Sequence, residues 1–194
     1  MMAQRSLQDH KTSESGLELY DGSAKEVGPM GLTEDLERIA LQERELVLSK
    51  LDPDVAWKLG SHLRVMATER NLAVVIDVRR FGQPLFYSAM DGTTPDNPEW
   101  VRRKSNVVAR FHCSSYAVGL REKLKCQTLL ESQGLPIADY ATHGGSFPLR
   151  VAGAGVVGCV TVSGLPMRAD HELVVEALCG LLGRSYAELK LPPE

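Results

Sequence analysis

The chain has 194 residues, of which 43% are hydrophobic and 24% are charged, so it contains enough apolar side chains for the core of one globular domain. Its formal net charge of −3 excludes the strongly basic character that is typical of proteins binding nucleic acid or anionic membranes. No stretch of about 18 consecutive apolar residues occurs, so we expect no membrane span.

Residues 1–31 are expected to form a disordered N-terminal extension to a single domain that covers residues 32–194. The extension is rich in Ser, Gly, Gln and charged side chains and lacks hydrophobic periodicity. Acidic residues interrupt the first twenty positions, which is inconsistent with a secretory signal. The four cysteines show no C-x-x-C spacing. These features together predict a cytoplasmic protein with reduced thiols.

Two consecutive helices are predicted at the start of the domain. The first runs from Thr33 to Leu51, with Thr33 as a suitable N-cap and acidic side chains in the first turn. The second begins at Asp52-Pro53, where the aspartate caps the helix and the proline occupies the first helical position, and it ends at Asn71. Apolar residues recur at helical spacing in both segments, so each helix is expected to bury one face.

Two β-hairpins are predicted in the rest of the domain. The first pairs residues 72–78, which are apolar and β-branched, with residues 84–90 around a turn at Gly82. The second pairs residues 147–151 with residues 156–163 around a glycine-containing turn. Because hairpin strands run antiparallel, the sequence predicts a central antiparallel sheet.

Further helices are predicted between and after the hairpins. One begins near Pro98 and carries an amphipathic stripe that includes Trp100 and Lys104, and a shorter one covers residues 115–125. The last begins at Ala169–Asp170. The predicted order is therefore α-α-β-β-α-α-β-β-α, an α/β fold of the α+β kind in which helices flank the sheet.

The most distinctive segment is His143-Gly144-Gly145, directly before the second hairpin. Two glycines beside a histidine allow the backbone to approach a ligand closely or to turn with positive φ. His143 can serve as a general base, a metal ligand or a hydrogen-bond donor to an anion. The alternative is a tight turn at the start of the strand, in which the histidine is structural.

A second distinctive segment follows the last predicted strand. Ser163-Gly164 ends the strand, and Asp170-His171 lies at the start of the final helix. Free N–H groups at a helix start can bind an anion, and Asp170 can orient His171. The alternative is that Asp170 only caps the helix and His171 is a surface residue.

A basic run, Arg102-Arg103-Lys104, lies on the helix between the hairpins. Guanidinium groups at this position can bind carboxylate or phosphate groups, haem propionates or an acidic partner surface. The alternative is a solvated helix face. The aromatic residues expected of an RNA-binding platform are absent from the run, so nucleic acid is not an expected partner.

No catalytic set is complete in the sequence. Ser163, His143 and Asp170 have the residue types of a nucleophilic triad, but the chain has no G-x-S-x-G elbow. The five histidines are dispersed and form no H-E-x-x-H pair, so a metal cluster is not predicted. Haem needs only one or two axial ligands, so this dispersion does not exclude it. The catalytic residues therefore stay unassigned.

The succession of these motifs resembles uncharacterised protein family 0303, which belongs to the haem-degrading-domain superfamily together with GlcG- and HbpS-like proteins. The resemblance covers about residues 33–183. The segments that carry it, in chain order, are residues 96–104, 110–116, 143–148, 155–158, 161–166 and 170–171.

The resemblance implies a profilin-like α/β domain, self-association into a homo-oligomer, and haem as a candidate cofactor. It transfers no haem ligand onto a named residue, and His143 or His171 is expected to approach the iron if haem binds. The candidate ligand-binding residues are His143, Gly144, Gly145, Ser163, Gly164, Asp170, His171, Arg102 and Arg103.

Three functional hypotheses follow. The chain binds haem or a related anionic ligand in a multimeric assembly, or it is a non-catalytic multimeric module that contacts itself or other proteins, or it is an enzyme acting on a small anionic metabolite. All three share one structural expectation, that the turns at His143 and before His171 converge beside the arginine-bearing helix to form a recess or a subunit contact.

Overall fold

The structure, a computed structural model, describes residues 29–193. The expected N-terminal extension, residues 1–31, lies outside the described residues except for residues 29–31, which form the start of the first helix. Within the described part of the chain, no helix combines the length and apolar character needed to cross a membrane.

The chain forms seven helices and five strands within the described residues. In chain order they are α1 (Pro29–Glu45), β1 (Val47–Leu48), α2 (Pro53–Glu69), β2 (Val75–Arg80), β3 (Gln83–Ala89), α3 (Asp96–Phe111), α4 (Ser115–Leu124), α5 (Leu129–Gln133), β4 (Ser146–Val151), β5 (Gly155–Ser163), α6 (Met167–Leu182) and α7 (Tyr186–Leu189). The predicted fold class is confirmed, since the two hairpins and the principal helices occur in the expected order.

The predicted bounds of the first helix were wrong at both ends. The helix begins at Pro29, so Thr33 lies inside it and is not its N-cap. Helix α1 ends at Glu45, and the next residues leave the helix to form β1. Val47 and Leu48 pair in parallel with Arg150 and Val151 of β4. The backbone groups of this segment therefore find partners about a hundred residues away along the chain, which a helical pattern of apolar residues cannot indicate.

The five strands form one sheet in the order β1-β4-β5-β2-β3. Both hairpins are antiparallel, and β5 and β2 join them antiparallel at the centre of the sheet. Among the strand pairs of residues 29–193, only β1–β4 is parallel. Strand β3 is therefore one edge of the sheet, and the opposite edge is formed by β1, which has two residues.

The two faces of the sheet differ in polarity. Residues such as Ile76, Val78 and Phe147 belong to the main hydrophobic core, together with buried residues of α2 and α6. The side chains at the alternate strand positions point to the other face of the sheet. There Thr161 of β5 contacts Ser105 of α3, and the two hydroxyl oxygens are 3.1 Å apart. Helix α3 thus lies across a partly polar face of the sheet, and one end of this helix reaches the loops before β4 and after β5.

Candidate functional site

A recess of about 240 Å³ lies at the junction of α3, the loop before β4 and the turn between β5 and α6. The turn at His143, the turn before His171 and the helix that carries Arg102 and Arg103 meet here, as expected. The residues that line the recess are Asn97, Trp100, Lys104, His143, Ser163, Gly164, Leu165, Met167 and Asp170.

Lys104 and Asp170 form an ion pair at the floor of the recess. The Lys104 Nζ atom lies 2.7 Å from Asp170 Oδ2 and donates a second hydrogen bond, of 3.1 Å, to the Val162 carbonyl. Both residues are buried, at 3% and 0% exposure. Burial lowers the pKa of Lys104 and raises the pKa of Asp170, and the opposite charge of each partner counteracts both shifts. The pair therefore joins α3 to the β5–α6 turn in a nearly dry environment.

Asp170 also holds the turn that precedes α6. Its second carboxylate oxygen, Oδ1, accepts a hydrogen bond of 3.0 Å from the Leu165 backbone N–H. The alternative that Asp170 only caps the last helix was wrong, because no side-chain hydrogen bond from the described residues caps α6. Asp170 instead holds the turn before the helix and forms a long-range ion pair. No hydrogen bond joins Asp170 to His143 or to His171 within residues 29–193, so Asp170 orients neither histidine, and the triad of Ser163, His143 and Asp170 does not form.

The two glycines after His143 allow their loop to lie against the β5–α6 turn. A Cβ atom at Gly144 would lie 1.9 Å from the Met167 carbonyl oxygen. At Gly145 the φ angle is +118°, and a Cβ atom would lie 2.3 Å from the Val162 oxygen and 3.0 Å from Lys104 Nζ. No larger residue fits at these distances, so the glycines make the recess possible.

His143 lies at the rim of the recess with an exposed side chain. Its ring packs edge-to-face on Trp100, with ring centroids 4.8 Å apart. Partial burial lowers the pKa of His143, and the positive charges of Lys104 and Arg103 lower it further. The ring is therefore neutral at pH 7, and a neutral imidazole can bind a metal ion or accept a hydrogen bond.

His171 lies outside the recess, in the core. Its ring contacts the rings of Tyr116 and Phe147, at centroid distances of 5.3 and 5.8 Å. The Nε2 atom lies 2.8 Å from the Oε1 atom of Gln42, whose amide nitrogen donates to the Leu189 carbonyl. Burial lowers the pKa of His171 to about 3, so the ring is neutral and Nε2 is the donor. The alternative interpretation of His171 as a surface residue was wrong, because the residue is fully buried.

The two arginines occupy the outer side of α3. Arg102 forms ion pairs with Glu99 and Asp139, at 3.0 and 3.1 Å, and does not line the recess. The Arg103 guanidinium lies over the Trp100 ring, 4.1 Å from its centroid, and so borders the recess only through that ring. The cation that faces the recess is Lys104, which the candidate set omitted. A lysine within the apolar stripe of a helix was the signal that could have identified it.

Residues 29–193 contain no group of three or more His, Cys, Asp or Glu side chains that could hold a metal ion. The recess instead offers a lysine–aspartate ion pair at its floor, a neutral imidazole at its rim and an aromatic wall. These groups suit a ligand whose anionic group binds at the floor and whose larger, apolar or metal-containing part lies at the rim.

Comparisons with known proteins agree with this architecture. Residues 51–179 match the model of the family described as haem degrading protein HbpS-like. A UPF0303 protein of Acidobacterium capsulatum is 62% identical over 163 residues, covering 84% of this chain and 99% of that protein.

Two solved structures share the fold. The Ybr137w protein superposes with a TM-score of 0.73 at 25% identity, covering 80% of this chain and 94% of that chain. A haem complex of PduOC superposes with a TM-score of 0.57 at 17% identity, covering 66% and 93% of the two chains, which shows similarity of fold alone. On the family match and the extent of the UPF0303 similarity, the chain belongs to the HbpS-like haem-degrading protein family.

Proposed function

We propose that the recess binds haem or a related anionic ligand, and that the protein does so as an assembly of identical copies. The observation that carries the proposal is the placement of a buried cation, Lys104, and a neutral imidazole, His143, on the wall of one recess. The family adds support, since its description names haem degradation.

The floor of the recess favours an anion. Lys104 has three N–H groups, of which two point to Val162 and Asp170, so a third remains for a ligand oxygen. Met167, the first residue of α6, lines the same recess, and no side-chain hydrogen bond caps that helix within the described residues. The positive end of a helix dipole attracts negative charge, as Lys104 does, and the Asp170 carboxylate in the first turn of α6 offsets part of this attraction.

The residues present fit a haem at the rim. His143 has an exposed, neutral ring that can ligate iron, whereas the ring of His171 is enclosed in the core. Lys104 would hold a propionate at the floor, and Trp100 would contact the macrocycle. A bound haem would supply one-electron and oxygen chemistry. The recess is smaller than the roughly 300–1,000 Å³ typical of pockets for drug-sized ligands, so most of a porphyrin would lie outside it.

A haemin titration followed by absorbance tests this proposal. We expect the unmodified protein to shift the Soret band at low micromolar concentration and to saturate at one haem per chain. His143→Ala should weaken binding at least about tenfold and change the band position, because an axial ligand is lost. His62→Ala is the matched control, since His62 is also exposed but lies on α2, away from the recess. No Soret shift with the unmodified protein would refute haem binding.

A second candidate, an enzyme acting on a small anionic metabolite, is favoured by the volume of the recess. A recess of about 240 Å³ has room for a ligand of metabolite size. Acetate, succinate and inorganic phosphate are suitable probes in a thermal-shift titration. Stabilisation by one of these anions, without a Soret shift on addition of haemin, would favour this candidate over haem binding.

A further inference from the structure

A second surface of the protein is an apolar groove between α2 and the edge strand β3. Its volume is about 580 Å³, and its walls include the well-exposed side chains of Trp57, at 65%, and Val65, at 52%. Isolated apolar residues are common on protein surfaces, but a contiguous group of this kind marks a contact site. The groove lies on elements that do not contribute to the recess.

The floor of the groove is built rigidly. The Phe86 ring of β3 lies directly over Gly60 of α2, where an added Cβ atom would come within 2.2 Å of that ring. Trp57 packs edge-to-face on the same ring, with centroids 5.7 Å apart. The groove is therefore a fixed feature of the α2–β3 contact, and Trp57 packs against Phe86 at its border.

Strand β3 offers an open hydrogen-bonding edge beside this groove. It pairs with β2 on one side, and no strand among residues 29–193 pairs with its other side. Exposed sheet edges are usually short or carry charged side chains that prevent pairing with another chain. The β1 edge has two residues, whereas β3 has seven and contains no charged residue. Pro84, near one end of β3, leaves most of the edge able to pair.

We propose that this surface docks a second copy of the chain, with β3 pairing antiparallel to β3 of that copy about a two-fold axis. The two sheets then become continuous, and Trp57 and Val65 of both copies are buried between them. The inference rests on the self-association included in the proposed function, and it names the surface that brings two copies together.

The charges beside the groove favour a second copy over an unrelated partner. Arg64 and Glu69 are exposed on α2 and border the groove, and neither forms a salt bridge within the described part of the chain. A two-fold axis brings the two copies of α2 together antiparallel. With the axis passing between residues 64 and 69 of α2, Arg64 of each copy faces Glu69 of the other, so the surface is complementary to itself.

The first experiment measures native mass by light scattering at tens of micromolar protein. Val65→Asp places a charge in the groove at an exposed position, so the fold is preserved. We expect its native mass to be half that of the unmodified protein or less. Ile137→Asp is the matched control, because Ile137 is 71% exposed and lies outside the groove, and its mass should not change.

The second experiment reverses charges. Arg64→Glu and Glu69→Arg should each raise the dissociation constant of the contact by about tenfold, since each creates two like-charge pairs across the axis. Combining both substitutions in one chain, or mixing the two single variants, should restore the affinity of the unmodified protein. Restoration on mixing requires the two positions to face each other between copies.

The outcomes separate the two proposals. A monomeric unmodified protein refutes both the proposed self-association and this surface, and it leaves the haemin titration as an independent test of the recess. A multimer whose mass is unchanged by Val65→Asp, with no effect of charge reversal, refutes this surface alone.

Discussion

His171 makes a specific contribution to the pH dependence of folding. In the unfolded chain its imidazole titrates near the ordinary value of 6.5, whereas burial lowers the pKa to about 3 in the folded protein. The unfolded state therefore binds a proton more readily than the folded state as the pH decreases. The stability associated with the neutral ring is fully present above pH 6.5 and is lost as the pH falls towards 3.

The size of the effect follows from the two pKa values. At about 1.4 kcal/mol per pKa unit, the difference between 6.5 and about 3 corresponds to about 5 kcal/mol when the titration is complete. Between about pH 7 and pH 5, where the imidazole protonates only in the unfolded chain, the loss is about 2 kcal/mol. This loss is large enough to measure by urea unfolding at each pH.

His171→Asn isolates the effect, because asparagine does not titrate and still offers an N–H donor towards Gln42. The variant should be less stable at pH 7, but between pH 7 and pH 5 it should lose about 2 kcal/mol less than the unmodified protein. His62→Asn is the control, because His62 is exposed on α2, and its pH dependence should match that of the unmodified protein. Equal pH dependence in His171→Asn and the unmodified protein would show that His171 is not enclosed as described.

Two further predictions concern the recess. Lys104→Met should lower the free energy of unfolding by about 3–5 kcal/mol, measured with urea, because it leaves the Asp170 carboxylate buried without its partner. The double variant Lys104→Met, Asp170→Asn should lose less stability than Lys104→Met alone. A larger loss in the double variant would contradict the ion pair. Gly145→Ala should lower the free energy of unfolding by more than about 1 kcal/mol, and by more than Gly134→Ala does. Both glycines have positive φ, at +118° and +69°, but of these two only Gly145 has backbone atoms where the added methyl group would lie. Equal Tm values for the two variants would contradict this packing.

Much of the fold could be predicted because its signals are local. The β-branched run at residues 72–78 overlaps β2 (Val75–Arg80), and the glycine turn precedes β5 (Gly155–Ser163), so each element is indicated by adjacent residues. Asp52 and Pro53 start α2 as predicted, with the Asp52 side chain accepting from the Val55 N–H at 2.9 Å. The short strand β1 could not be predicted, because its pairing partner in β4 is distant in the chain and two residues carry no periodicity.

The candidate site could likewise be predicted only in part. The glycines at 144 and 145 are visible in the sequence, and the structure shows the backbone oxygens they accommodate. The roles of the charged residues were not visible. Arg102 pairs on the surface, whereas Lys104, two positions later, is buried against Asp170. Neighbouring basic residues on a helix point in different directions, and only the packing of α3 on β5 selects the one that turns inward.

The sequence by itself determined the hairpins, the principal helices, the tight glycine turns and the family, because each depends on residues close together in the chain or on their order. The tertiary structure decided which side chains share a recess, why His171 is enclosed while His143 is open, and which strand is left at the edge of the sheet. These properties depend on contacts between segments far apart in the chain, and burial, ion pairing and pKa all follow from such contacts.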